Sequence, residues 1–243
     1  MIQELNNGLG IWQILSSNLI TDIIGSSGFN LVIFDLEHGL HNPETIQSCL
    51  FAAKASSIFT VARVPTRNYQ NIVQLIDTGI DAILFPHVET KEQLDLIIDS
   101  SLLSPYGEKS FSPFVPRFKY KNNHIESPNP SIGVLIESKL GIKNAEQILQ
   151  NSKIDFIYFG AYDLSVELNK PGKIFDPEIV NILSTLIICC KKANKKIMAL
   201  YRTYDELKIL LDMGINFPIA SVDTSQLEIK LREESRNYNS MSN

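Results

Sequence analysis

Residues 134–165, VLIESKLGIKNAEQILQNSKIDFIYFGAYDLS, decide the fold. Val134-Leu135-Ile136-Glu137 is an apolar run ending in a carboxylate. Asp155-Phe156-Ile157-Tyr158-Phe159-Gly160 is a second apolar run, followed after Ala161 and Tyr162 by Asp163. Asn144 to Gln150 between them reads as a short helix. Short, continuously apolar runs suit parallel strands buried on both faces, and a helix joining two such strands is a βαβ crossover. Glu137 and Asp163 are 26 positions apart (163 − 137 = 26), close to one such unit. Neighbouring strands therefore each deliver a carboxylate at the same end. Two carboxylates that close repel unless a cation lies between them. For an oxygen-only pair the simplest cation is Mg²⁺ or a similar divalent ion.

The same alternation extends in both directions. Towards the N-terminus, strands are predicted at Gly10 to Leu15, Leu31 to His38, Thr60 to Val64 and Ala82 to Val88. Helices are predicted between them, at Leu19 to Ser26, from Asn42-Pro43-Glu44 to about Ala55, and from Tyr69 to Asp77. Asn42-Pro43 supplies an N-cap and a proline at the first helical position, and Thr90-Lys91-Glu92-Gln93 is a capping box. Towards the C-terminus, Asp176-Pro177-Glu178 opens a helix to about Ala193, and Lys196 to Tyr201 is a strand. Thr203-Tyr204-Asp205-Glu206 caps another helix, and Phe217 to Asp223 is the eighth strand, before a last helix and polar tail. Eight strands alternating with helices predict an α/β (β/α)8 barrel, a TIM barrel, filling residues 1–243 as one domain. An open doubly wound sheet is the alternative, but no glycine-rich dinucleotide loop follows any strand. Residues 100–130, rich in serine, proline and aromatics, form a long connection that is either disordered or functional.

Composition narrows the function classes. The 243 residues carry a formal charge of −5, with 44% hydrophobic and 20% charged residues, and a pI near 5.4. That balance suits a soluble globular protein and argues against nucleic acid or an anionic membrane surface as partner. No apolar run approaches the ~18 residues that span a bilayer. Met1-Ile2-Gln3-Glu4 lacks the basic region and apolar core of a signal peptide. Cys49, Cys189 and Cys190 lie in apolar runs without metal-ligand spacing. They read as buried free thiols in a reducing compartment, and the expected location is cytoplasmic.

In such a barrel the active site lies at the carboxyl ends of the strands. Polar residues gather there: Asp35, Glu37 and His38, then Arg63, then His87 and Glu89, then Glu137 and Asp163. Any one of them alone reads as a helix cap, an ion pair or a solvated loop residue. Converging at one barrel end, they suit a specific chemistry. A divalent ion on Glu137 and Asp163 leaves positions open for a 2-oxo acid to chelate through its carboxylate and keto oxygens. Arg63 would hydrogen-bond the developing enolate oxygen as a fixed cation, and His38 would serve as base.

These residues carry a resemblance. Phe34-Asp35-Leu36-Glu37-His38-Gly39, Val61-Ala62-Arg63-Val64-Pro65, Leu84-Phe85-Pro86-His87-Val88-Glu89-Thr90, Ile136-Glu137-Ser138 and Phe159-Gly160-Ala161-Tyr162-Asp163-Leu164-Ser165 resemble the HpcH/HpaI aldolase family, in order and spacing from Trp12 to Asp223. The resemblance implies a class II pyruvate aldolase, similar to 4-hydroxy-2-oxoheptanedioate aldolase, on a barrel of the phosphoenolpyruvate/pyruvate superfamily. Such an enzyme cleaves or forms a 4-hydroxy-2-oxo acid from pyruvate and an aldehyde through an enolate on a divalent ion, Mg²⁺ or Mn²⁺ with Co²⁺ as a further option. It implies Glu137 and Asp163 as metal ligands, Arg63 on the enolate oxygen, and Asp35 among the catalytic residues. His38 with Asp77 (in Leu75-Ile76-Asp77-Thr78-Gly79) is implied as an acid–base dyad. The substrate-binding set is Trp12, Gly160, Tyr162 and Asp163, the last two through their backbone N–H groups. The resemblance also implies a homo-oligomer, trimer or hexamer, with the last helix exchanged between subunits.

The sequence departs from the family pattern around the expected second-substrate side. Gly160-Ala161-Tyr162-Asp163 stands for G-P-x-D, and Leu40 and His41 replace the usual continuation of E-H. Pro86-His87 stands for Pro-Met. Ser104-Pro105-Tyr106-Gly107-Glu108-Lys109-Ser110-Phe111 stands for Y-P-P-x-G-x-R-G without its arginine. Tyr162, Leu40, His41, His87 and Lys109-Ser110-Phe111 are thus expected to form an altered rim. Two other functions remain open. One is a citrate-lyase-like or phosphoenolpyruvate-using enzyme with Lys109, Arg117, Lys119 and Lys121 as a basic rim. The other is a non-catalytic barrel that binds an oxo acid.

Overall fold

The computed structural model describes residues 2–5, 7–65, 69–121 and 129–242. Eight parallel strands close into a barrel in sequence order. The first half runs β1 (Gly10–Gln13), α1 (Asn18–Ser26), β2 (Leu31–Asp35), α2 (Pro43–Ala55), β3 (Phe59–Arg63), α3 (Tyr69–Asp77), β4 (Ala82–Phe85) and α4 (Lys91–Ser101). The second runs β5 (Ser131–Ile136), α5 (Lys139–Lys143), α6 (Ala145–Leu149), β6 (Phe156–Phe159), α7 (Ala161–Glu167), α8 (Pro177–Ala193), β7 (Lys196–Tyr201), α9 (Tyr204–Met213), β8 (Phe217–Val222) and α10 (Asp223–Met241). The predicted TIM barrel is the observed fold.

Strand alternation divides the core in two. Leu31, Ile33, Val61, Leu84, Phe156 and Met198 point into the barrel, while Val32, Phe34, Ala62, Ile83 and Ile157 face the helices. Gly133 of β5 makes room for Phe156, since a Cβ there would lie 2.2 Å from its ring. Ile2, fully buried in a 3-10 turn, closes the amino end of the barrel, its N–H bound to Ser131 Oγ at 3.3 Å. The other end is left open to the site.

The anticipated caps form. Asn42 accepts from the Thr45 N–H, Thr90 from Gln93 and Thr203 from Glu206. Four features differ from expectation. The helix expected from Asn144 to Gln150 forms as α6, and an unanticipated short helix, α5, precedes it. They meet at Asn144, whose carboxamide donates to the Glu89 carbonyl at 2.8 Å. A helix not anticipated, α7, follows β6, and Asp163 lies in its first turn. The strands expected to reach His38 and Val88 end at Asp35 and Phe85. The long connection after α4 runs along the amino end of the barrel, away from the strand carboxyl ends. There Arg117 donates to the carbonyls of Ile76 and Ile80, closing the end of α3. Residues 122–128 of that connection lie outside the described residues.

Candidate active site

The inward-facing positions turn polar at the carboxyl end of the barrel. Asp35 ends β2 and Arg63 ends β3, and the two are register partners. Arg63 Nε donates to Asp35 Oδ1 at 3.0 Å and its Nη2 to Oδ2 at 2.6 Å, a two-pronged pair. Such a fork fixes a guanidinium in plane, which a lysine cannot match. The guanidinium carbon lies 4.7 Å over the Trp12 ring, and Nη1 approaches Glu37 Oε2 at 3.3 Å. Asp35 Oδ1 also accepts the N–H groups of Glu37 and His38, at 3.0 and 3.2 Å. Burial alone would raise the Asp35 carboxyl. The Arg63 fork and charge outweigh it and hold the group below the usual carboxylate range. Asp35 is thus ionised and orients both Arg63 and the turn that carries His38.

Across the barrel, Glu137 follows β5 and is buried. Gly160, between β6 and α7, lets the next strand approach it. A Cβ at 160 would lie 2.4 Å from the Glu137 Cβ and 3.2 Å from its Oε2. The Asp163 carboxyl contacts that of Glu137. Burial, and then Asp163, push the Glu137 carboxyl up to about 7, against the pull of His87. His87 sits at the end of the β4 turn with φ 56, its ring spanning from Glu137 to Glu37.

A cavity of about 310 Å³ joins these two sides. Asp35, Arg63, Glu137 and Asp163 line one part, with His38 and Tyr162 at its mouth. Ile14, Leu135, Ile174, Leu200 and Val222 form an apolar wall opposite. Tyr162 is exposed on the rim, hydrogen-bonded to Arg202, which is itself held by Glu206 and the Gly172 carbonyl. Tyr158, absent from the expected set, is buried at the floor. It accepts from Trp12 Nε1 at 2.7 Å, with the two rings edge to face, and burial pushes its phenol up. Its signal was an aromatic alcohol at an inward position of an apolar strand. Leu200, Ile174 and Val222 carry no such signal, because an apolar residue reads the same in a core and in a substrate wall.

The structure thus brings together Trp12, Asp35, His38, Arg63, Glu137, Gly160, Tyr162 and Asp163. It separates Asp77 from them. Asp77 ends α3 at the opposite end of the barrel, paired at 2.7 Å with the buried Lys109 ammonium. An Asp77–His38 dyad therefore does not form within one chain. Lys109-Ser110-Phe111 lie at that same far end, so they are not rim residues of this cavity. His41 is not a rim residue either. It is buried behind β1 and β2 with Nε2 on the Gln13 carbonyl at 3.1 Å, edge-on to Phe34. Leu40 and His87 are exposed at the rim as expected.

The carboxylate pair fits a divalent ion. Two acidic groups in contact, one of them buried, repel when both are ionised, which a cation between them would relieve, and both offer only hard oxygen donors. Among the described residues no group of three or more His, Cys, Asp or Glu is placed to hold a metal ion. An ion on the carboxylate pair would therefore take its remaining ligands from water and substrate oxygens.

Known proteins share this chain's sequence pattern and fold. The 5-keto-4-deoxy-D-glucarate aldolase of Klebsiella pneumoniae subsp. pneumoniae is 29% identical over 223 residues, 88% of this chain and 86% of that protein. The 2-keto-3-deoxy-L-rhamnonate aldolase of Escherichia coli K12 is 29% identical over 224 residues, 89% and 83% of the two chains. The crystal structure of an HpcH/HpaI aldolase/citrate lyase family protein from Burkholderia cenocepacia J2315 superposes with a TM-score of 0.88, covering 96% of this chain and 95% of that one at 20% identity. The family pattern described as HpcH/HpaI aldolase/citrate lyase matches residues 9–228, from the edge of β1 into α10 and so across every strand that builds the site. The chain belongs to the HpcH/HpaI aldolase/citrate lyase family.

Proposed function

We propose that the protein is a divalent-metal-dependent carbon–carbon lyase that cleaves a 4-hydroxy-2-oxo acid to pyruvate and an aldehyde, or joins the two. The observation that carries this reading is the shared cavity of the Glu137–Asp163 pair and the Arg63 fork. Glu137 and Asp163 would hold the ion (Mg²⁺ or Mn²⁺, with Co²⁺ also compatible), which when bound supplies a Lewis acid for the enolate charge of a chelated 2-oxo acid. Arg63, locked by Asp35 and stacked on Trp12, presents a cation to that developing oxyanion without reorganisation. The first-turn N–H groups of α7, at Tyr162 and Asp163, face the substrate carboxylate. His38, held by Asp35 at the cavity mouth, takes or returns the proton of the 4-hydroxyl. Asp77 would join His38 only across two copies of the chain, in line with a homo-oligomer, trimer or hexamer, that engages α10.

The apolar wall of Ile14, Ile174, Leu200 and Val222 suits an uncharged aldehyde better than an anionic one. Among the described residues that form this wall none carries a charge to replace the hydration a free carboxylate would lose. The coenzyme A or phosphate alternative loses its motive, because the loop of Lys109, Arg117, Lys119 and Lys121 lies at the opposite end of the barrel. Among the described residues no helix is long and apolar enough to cross a membrane. Three buried free cysteines suit a reducing, cytoplasmic setting.

The test is proton–deuterium exchange at C3 of pyruvate, followed by NMR with Mg²⁺ or Mn²⁺ and again with EDTA. Exchange that needs metal and vanishes in Glu137→Ala and Asp163→Ala supports the reading. Metal-independent exchange, or none, sinks it. A retro-aldol panel of 4-hydroxy-2-oxo acids detecting released pyruvate then identifies the acceptor, with uncharged aldehydes expected first.

A further inference from the structure

We propose that His87 positions the metal site. It holds one oxygen of Glu137 so that the other faces the cation, and it ties Glu137 to Arg63. This rests on the metal-dependent reading above. The His87 backbone N–H donates to Glu137 Oε1 at 2.9 Å, and ring Nδ1 lies 2.9 Å from the same oxygen. Oε2 faces Gly160, on the side from which α7 brings Asp163. The carboxylate is thereby turned to offer a single oxygen beside Asp163.

The other ring nitrogen completes a chain of contacts. His87 Nε2 lies 3.0 Å from Glu37 Oε1, and Glu37 Oε2 lies 3.3 Å from Arg63 Nη1. Glu137, His87, Glu37, Arg63 and Asp35 thus form one continuous polar line from β5 to β2. It fixes the distance between the metal ligand and the guanidinium that meets the substrate.

The backbone is shaped for this. His87 holds φ at 56, a conformation that L side chains rarely adopt, between buried Pro86 and Val88. That turn is what aims both the N–H and the ring of one residue at one oxygen. Partners of this kind orient metal-bound carboxylates, and their loss typically costs about 10–100-fold in metal affinity.

The experiment is Mn²⁺ titration of the full-length protein without substrate, reading free Mn²⁺ by EPR, together with the melting temperature in EDTA. His87→Gly relaxes the left-handed turn while deleting the imidazole. His87→Asn tolerates that turn and restores a side-chain donor to Glu137. The expected result is Mn²⁺ affinity weakened about 10–100-fold in His87→Gly, at an unchanged melting temperature in EDTA, and largely restored in His87→Asn. Wild-type affinity in His87→Gly overturns the proposal while leaving the metal reading intact. A nitrogen coupling to bound Mn²⁺ in the pulsed EPR spectrum of the wild type also overturns it, because His87 would then be a ligand. No Mn²⁺ binding by the wild type, with no change in Glu137→Ala, removes the metal reading and the proposal together.

Discussion

Arg63 shows how much one side chain does in this site. Its charge is matched by Asp35, its plane is fixed by two hydrogen bonds, and its face rests on Trp12. Lysine would keep the charge and lose the fork and the stack. Arg63→Lys should therefore bind Mn²⁺ as the wild type does yet exchange C3 protons of pyruvate about 10²–10³-fold more slowly, measured by NMR at saturating metal. His41 gives a pH prediction. Burial lowers its pKa from the ordinary 6.5, against the partial pull of the Gln13 carbonyl. The unfolded chain takes a proton at His41 more readily than the folded one. Stability present above 6.5 is therefore lost as pH falls through the folded value. His41→Phe keeps the edge contact with Phe34 and removes that loss. The melting temperature of the wild type should fall against that of His41→Phe as pH drops below 6.5. Arg63 was legible in the sequence because a charge that ends an apolar strand stands out. His41 was not, because its burial depends on the packing of α2 against β1 and β2, which no local pattern records.

At the scale of elements, the crossover spacing from Glu137 to Asp163 anticipated the meeting of two carboxylates, and β5 and β6 pair in parallel as that spacing requires. Two details escaped. The helix α7 has seven residues, and its N-cap, Gly160, makes no side-chain cap, so no start signal marks it. The other is α5, five residues that end before Asn144, whose side chain donates to a carbonyl 55 positions away in sequence. Gly160 is where the two strands must come closest. Gly160→Ala would drive a methyl into Glu137 and push the β6–α7 junction away from β5. At a metal concentration 100 times the dissociation constant, the wild type should gain about 2.7 kcal/mol, or roughly 5–10 °C in melting temperature for a chain of this size. Glu137→Ala and Asp163→Ala should lose that protection, and Gly160→Ala most of it. Differential scanning fluorimetry with MgCl₂, MnCl₂ and EDTA reads all three. A wild type that gains nothing from either ion would exclude the carboxylate pair as a metal site.

At the scale of the molecule, the barrel separates what the sequence placed side by side. The strand carboxyl ends gather the cavity, while Asp77 and Lys109 pair at the opposite end. Alternation revealed the closed barrel, but which end a loop occupies follows only from counting strands and helices correctly up to it. The last helix is the feature that one chain leaves unexplained. Only Asp223 of α10 is buried, its carboxylate receiving the N–H groups of Ile14 and Leu15 at 3.1 and 3.0 Å. From Gln226 on, every described residue of the helix is exposed, a rod of about 24 Å at 1.5 Å per residue. A free helix of that length is marginal in water and draws its stability from packing. Leu227 and Leu231, four positions apart, lie exposed on one face, and the pairs Arg232–Glu228 and Lys230–Glu234 charge the rest. A second copy of the chain is the partner we expect on that face. Leu227→Glu with Leu231→Glu should convert the assembly to monomers by light scattering after size exclusion, at unchanged barrel circular dichroism. It should also slow the aldol reaction more than C3 exchange, because the His38–Asp77 pairing would need two chains while the Arg63 and carboxylate machinery needs one. A wild type that elutes as a monomer would refute the oligomer and, with it, the dyad across chains.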